Sequence, residues 1–197
     1  MENTDICNMA LSYIGKGRIN SMDEKSEAAR QCKIHYEHVR RQLLSAQRWV
    51  FAERTVKLAL LNSEVPGWDF VYAYPQQCLN IRQVYDEEGA AGKDDEYHEY
   101  TVVTINDSTK AICTNIENAW VDYTADVENA NIFSPDFTEA LARGLAAALS
   151  VPLMGSANTQ QVQLQLMQAA VARARLQSEQ ENHHKPEFPD TYFKARF

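Results

Sequence analysis

Between positions 28 and 50 the apolar residues Ala28, Cys32, Tyr36, Val39, Leu43, Ala46 and Val50 recur at steps of 4, 4, 3, 4, 3 and 4. A strand would alternate at every second residue and a loop would carry no period, so the spacing predicts an amphipathic helix over about 24–48. The stretch SMDE at 21–24 has the Ser-x-x-Glu form of a capping box and predicts its start. Arg40, Arg41 and Arg48 share this segment with Glu24, Glu27 and Glu37 and read as a mixed-charge surface rather than a nucleic-acid patch. His35 and His38 are three apart on the same helix; with no third ligand to join them they read as part of its polar side rather than a metal site, and the His183-His184 pair in the tail is likewise not read as one.

The other elements follow the same logic. Ile6, Met9, Ala10, Tyr13 and Ile14 predict a helix at about 4–14, capped by Asn3 or Thr4 and ended by Gly15 and Gly17. From about Arg48 the period changes to alternation, Phe51 closing the helix region, with strand candidates at 55–61, 80–85, 97–105, 110–115 and 119–125 separated by turn residues. They predict an antiparallel meander of five strands within a β insert at about 51–128. SPDF at 134–137 offers a cap, a proline at the first helical position and an acid at the positive helix end, predicting a helix over about 135–151 that stops at Pro152. A last helix, about 159–181, is apolar on two sides: Val162, Leu166 and Ala169 on one, Leu164, Met167, Val171 and Ala174 on the other. Such a helix packs against two things. In HHKPEFPDTYFKARF, at 183–197, two prolines forbid regular helix while Phe188, Tyr192, Phe193 and Phe197 are too apolar to stay in water, which predicts a docking tail.

The stretch WDFVYAYP at 68–75 sets Trp68, Phe70, Tyr72 and Tyr74 at every second position, so all four rings are expected on one buried face where sheet meets helices. A base-stacking platform would need basic flanks, and the nearest charges are Glu64 and Asp69.

Charge and motifs narrow the function classes. The formal net charge of -8 opposes high affinity for a phosphate backbone. Seven acids against Lys93 alone between Asp86 and Glu99 concentrate that charge in one loop, which lacks the ligand alternation of a calcium site. Cys7, Cys32, Cys78 and Cys113 stand 25, 46 and 35 positions apart, form no CxxC pair, and are expected as free, mostly buried thiols. Neither a nucleophile elbow, a zinc-protease helix motif nor a phosphate-binding glycine loop occurs, so no catalytic, cofactor-binding or metal residue is assigned. The start MENTDI lacks the features of a signal peptide and the longest strictly apolar run, 145–149, is far below membrane-spanning length, so a cytoplasmic chain without a membrane anchor is expected.

The order of these features carries a resemblance. ALSYIG, then RRQLLSAQRWVFAERTVKLAL, then PGWDFVYAYPQQCLNIRQVY, and later FSPDFTEALARGLAAALSVPLMG with the Gln-rich last helix, resemble the head-to-tail adaptor proteins of short-tailed bacteriophages, the tail tubular protein A family. The most specific pieces are the run from Tyr72 to Leu79 and WVFA at 49–52. The resemblance implies a structural virion protein, not an enzyme, that assembles as a dodecameric ring below the portal protein, seals the filled capsid, and presents a platform to the tail nozzle protein. The genome would pass through its channel without sequence-specific binding. The protein would occupy the head–tail junction of the virion after assembly in the host cytoplasm.

Together these readings predict an α+β fold: an antiparallel α-helical bundle, two helices from each end of the chain, with an inserted antiparallel β-sheet and an extended C-terminal tail. Residues 1–182 are expected as one adaptor domain and 183–197 as the portal-docking tail, with Val162, Leu164, Leu166, Met167 and Val171 at the subunit interface. The insert and its acidic loop are expected to face the tail side or the outside of the ring. The alternative is an adaptor that also hydrolyses peptidoglycan, since acid–base pairing is spatial and leaves no linear spacing; against it, no acid stands in an apolar context that would raise its pKa.

Overall fold

The computed structural model describes residues 1–90, 98–106 and 109–181. The central part of the acidic loop and the tail, with His183, His184, Phe188, Tyr192, Phe193 and Phe197, lie outside the described residues. The fold is mixed α+β, with four long helices and two small antiparallel sheets.

Helix α1 (Asn3–Tyr13) is preceded by Glu2, whose N–H donates to Asp5 Oδ2 at 2.8 Å, so the cap lies at Glu2, one residue before Asn3 and two before Thr4, the expected caps. Helix α2 (Glu27–Ala46) starts later than SMDE predicts: Ser26 is the cap, its Oγ accepting the Ala29 N–H at 3.2 Å. The box residues close the preceding turn instead. Glu24 accepts from the Asn20 N–H at 2.8 Å and from the Ser26 hydroxyl at 2.7 Å, so the acid that was to cap the helix positions the residue that does. The α2 stripe also shifts. Its buried residues are Ala29, Cys32, Tyr36, Val39, Arg40, Leu43 and Leu44, while Val50 lies beyond the helix in a 3-10 turn and is exposed.

The strands are β1 (Glu53–Lys57), β2 (Phe70–Ala73), β3 (Cys78–Tyr85), β4 (Tyr100–Asn106), β5 (Thr109–Thr114) and β6 (Trp120–Ala125), with the one-turn helix α3 (Glu87–Ala90) after β3. In place of one five-stranded meander they form two sheets, β1-β6-β3 and β2-β5-β4. Residues 59–61 explain why the expected first strand stops early: the chain leaves β6 after Lys57 and runs along the edge of β2, where the Leu61 N–H reaches the Val71 carbonyl and the Ala73 N–H the Ala59 carbonyl, each at 2.8 Å. The aromatic stripe divides accordingly. Phe70, Tyr72 and Tyr74 pack on the main core, but Trp68 precedes the strand, bridges to Val65 across a tight turn, and joins Leu61, Val65, Val71, Ala111, Cys113 and Val103 in a satellite cluster. Alternation holds only where backbone is extended, and Trp68 lies outside that stretch.

The ring-rich seam lies elsewhere. Trp49, Phe51 and Phe133 surround Phe137 with centroid distances of 4.9, 5.0 and 4.8 Å, in edge-on geometry favoured by the ring quadrupoles. The Trp49 indole N–H is satisfied by the Leu43 carbonyl at 3.0 Å. This cluster joins the end of α2 and the approach to β1 with the start of α4 (Pro135–Met154).

Helix α4 is the hub against which α1, α2 and α5 (Ala157–Glu181) all pack, whereas α1 and α2 touch each other over a short stretch. Its length and composition meet the requirement for a membrane span, but Phe137, Leu141, Leu145 and Leu149 are fully buried among the other elements. Pro152 does not stop it. The missing N–H falls in the last turn, where its loss removes a single ladder bond, and the helix ends at Gly155, whose φ of 66° lets its N–H close on the Val151 carbonyl at 2.8 Å.

Two polar devices tie sheet to helices. Arg40, expected on the surface, is buried and ion-pairs with Asp126 Oδ1 at 2.7 Å, also donating to the Val127 carbonyl; Arg41 reaches Asp126 Oδ2 at 3.0 Å. The physical reason is position: residue 40 lies one turn beyond Tyr36 and three before Leu43, on the buried stripe, with a stem long enough to bring its charge to the end of β6. From β3, Asn80 donates to the Ser45 carbonyl at 2.9 Å and Arg82 to the Gln47 carbonyl at 2.8 Å, supplying donors and positive charge to the carbonyl end of α2.

Candidate subunit interface

Helix α5 packs on the rest of the fold along one side. Its inward residues are Gln163, Met167, Ala170, Val171 and Ala174. Gly144 eases the contact: a methyl group there would lie 2.9 Å from Met167 Sδ and 3.0 Å from Val39 Cγ1, so a side chain at this point would make the neighbours on α2 and α5 give way. A polar clamp fixes the rotation of α5. Arg143 stands over the Tyr13 ring, its Cζ 3.6 Å from the centroid, and donates to Gln163 Oε1 at 3.2 Å; Gln163 in turn donates to the Tyr13 carbonyl at 3.3 Å. Arg173 adds an ion pair to Glu139 at 2.8 Å.

With that rotation fixed, the expected interface residues separate. Met167 and Val171 are partly buried and pack against the chain's own core, Met167 beside the space that Gly144 leaves open. Val162 and Leu166 point the other way, 43% and 41% exposed, and Leu176, not anticipated, continues their line at 62%. With Ala169 and Arg173 these positions advance by 4, 3, 4 and 3, one continuous side of the helix. Leu164 lies off this stripe, on the opposite flank of the buried side, 40% exposed. At the hairpin end of α4, Val151 and Met154 are also exposed. The arrangement presents side chains that gain from leaving water along one side of a helix, with Arg173 in the same line, and it can bind another surface.

A second cluster lies on β1-β6-β3. The hydroxyls of Tyr85, at 2.6 Å, and Thr55 both donate to Asp122 Oδ1. Burial first, and then the hydrogen bond to Asp122, push the Tyr85 phenol up to about 12. A carboxylate held as acceptor by two hydroxyls from flanking strands reads as a cross-strand tie. His35 is half-buried and His38 exposed on α2, and among the described residues no group of three or more His, Cys, Asp or Glu is placed to hold a metal ion. Sequence reasoning missed Gln163 and Arg143; the signal for the former was a glutamine one turn before Met167 and two before Ala170 on the inward line.

Compared with known protein families and with curated proteins, the chain matches none.

Proposed function

We propose that this chain is a head-to-tail adaptor of a short-tailed bacteriophage, a structural protein that assembles as a ring on the portal, seals the packaged genome and offers a platform to the tail nozzle. The observation that carries the reading is the one-sided packing of α5, which leaves Val162, Leu166 and Leu176 in line on the outer side of a clamped helix. A second copy of the chain is the natural cover. One such contact is weak, and around a closed ring many act together. The order of motifs described above supports the same assignment, and the net charge of -8 suits a duct through which DNA must slide without being held by counterion release.

On this reading the four helices form one antiparallel bundle, the sheets are an insert within it, and residues 183–197 dock on the portal through Phe188, Tyr192, Phe193 and Phe197. The test is native mass measurement of the purified protein, alone and mixed with its cognate portal. A ring of copies on the portal is expected, with attachment lost when residues 183–197 are deleted from an otherwise folded chain. Failure of the intact protein to associate with the portal at any ratio overturns the adaptor role; normal attachment of the truncated chain overturns the tail assignment alone.

A further inference from the structure

Asn3 and Tyr36 join α1 to α2 by a hydrogen bond of 2.9 Å from the tyrosine hydroxyl to the asparagine side-chain oxygen. One helical turn onward from Asn3 along α1 stands Cys7, and one turn back from Tyr36 along α2 stands Cys32. In an antiparallel pair this step brings Cys7 opposite Cys32, near enough that each thiol perturbs the other. Both are free and fully buried in the main core. The neighbouring Cys32 thiol and burial hold the Cys7 thiol far above its ordinary range, so within the closed fold it stays protonated.

We propose that Cys7 and Cys32 are a redox latch: they remain thiols in a reducing cytoplasm and close to a disulfide, stapling α1 to α2, when the protein meets an oxidising medium. The oxidant is a low-molecular-weight disulfide such as oxidised glutathione. One cysteine thiolate attacks it, forming a mixed disulfide and releasing one glutathione thiol; the second cysteine attacks the mixed disulfide, forming the Cys7–Cys32 bond and releasing the other. Both protons end on the released thiols, and the oxidant takes the two electrons. Because both sulfurs are buried, exchange proceeds through local opening in which α1 lifts from α2, which it touches over a short stretch only. Once closed, the bond spans a loop of about 26 residues and constrains the unfolded chain. The latch does not depend on the adaptor reading.

The test equilibrates the folded, full-length protein in glutathione buffers from reducing to oxidising, traps free thiols by alkylation, and maps the cysteines by mass spectrometry. A Cys7–Cys32 peptide pair is expected in the oxidising buffers, with Cys78 and Cys113 still alkylated, and a melting midpoint raised on the order of 5 to 10 °C and restored by reductant. The variant carrying Cys78→Ser and Cys113→Ser keeps that response, and Cys32→Ser loses it. Should Cys32→Ser fail to fold, the mapping on the unaltered protein carries the test. Recovery of Cys7 and Cys32 as free thiols, as glutathione adducts, or paired with Cys78 or Cys113 after oxidation overturns the proposal.

Discussion

Gly144 on α4 and Met167 on α5 approach so closely that a methyl group on the glycine would lie 2.9 Å from the thioether sulfur. Met167 can swing aside, but Val39 Cγ1 on α2, at 3.0 Å from the same point, is held by a β-branched side chain. For Gly144→Ala, overpacking of roughly 1–3 kcal/mol opposes a helix-propensity gain of about 1 kcal/mol. A net loss of about 1 kcal/mol is expected, read as a melting midpoint lower by roughly 2–4 °C. Adding Met167→Ala should make the double variant less destabilised than the sum of its parts; strict additivity in thermal melts would show that the two side chains do not compete for space.

Breaking the buried ion pair should be costly. Asp126→Asn leaves the Arg40 guanidinium buried beside a neutral amide, and a loss of about 3–5 kcal/mol is expected in urea denaturation. Combining it with Arg40→Met removes the stranded charge and should recover part of that loss. A double variant less stable than Asp126→Asn alone would contradict this account.

Stability should fall in alkali in a defined window. The Tyr85 phenol is raised from near 10 to about 12 in the folded state, so the unfolded chain loses its proton first. With fewer protons bound in the unfolded state, unfolding becomes easier as pH rises. The contribution is whole below pH 10 and is lost as pH climbs through 12; the raised Tyr36 and Tyr74 phenols act in the same direction. Denaturation midpoints measured across that range should decline, less steeply for Tyr85→Phe.

The outer stripe of α5 offers a separation of folding from assembly. Leu166→Asp places a charge where Leu166 is 41% exposed, so monomer stability should change by no more than about 0.5 kcal/mol. Assembly on the portal, followed by sedimentation, should weaken at least roughly tenfold, equivalent to about 1.4 kcal/mol per contact. Undiminished assembly by a well-folded Leu166→Asp protein would remove this stripe from the ring contact.

Legibility in the sequence tracked how local the deciding interaction was. The α2 period is written into Cys32, Tyr36, Val39 and Leu43, and the Ser134-Pro135 start of α4 was equally plain, because a helix and its cap are set by neighbours within one turn. Arg40 was misplaced on the surface although it occupied the buried stripe, since its partner Asp126 is 86 positions away. Trp68 was assigned to the wrong cluster for a related reason: alternation was extended past the start of β2 into a turn. The division of six strands into two sheets left no periodic trace, because pairing depends on partners distant in the chain. At the candidate interface, two apolar sides of α5 were visible, but only the contact of Met167 with Gly144 told which side faced inward.

The central position of α4 and β6 also governs the life of the protein on the ribosome. While the first hundred or so residues emerge, β1 and β3 still lack β6, the strand that hydrogen-bonds to both, and α1 and α2 still lack α4, the helix that covers them. Closure of the core thus waits for the stretch from Trp120 to Met154, and until then the stripe of α2 and the rings of Trp49 and Phe51 are open to nascent-chain chaperones. Premature release of the chain before Met154 should yield an aggregating fragment rather than a smaller folded unit.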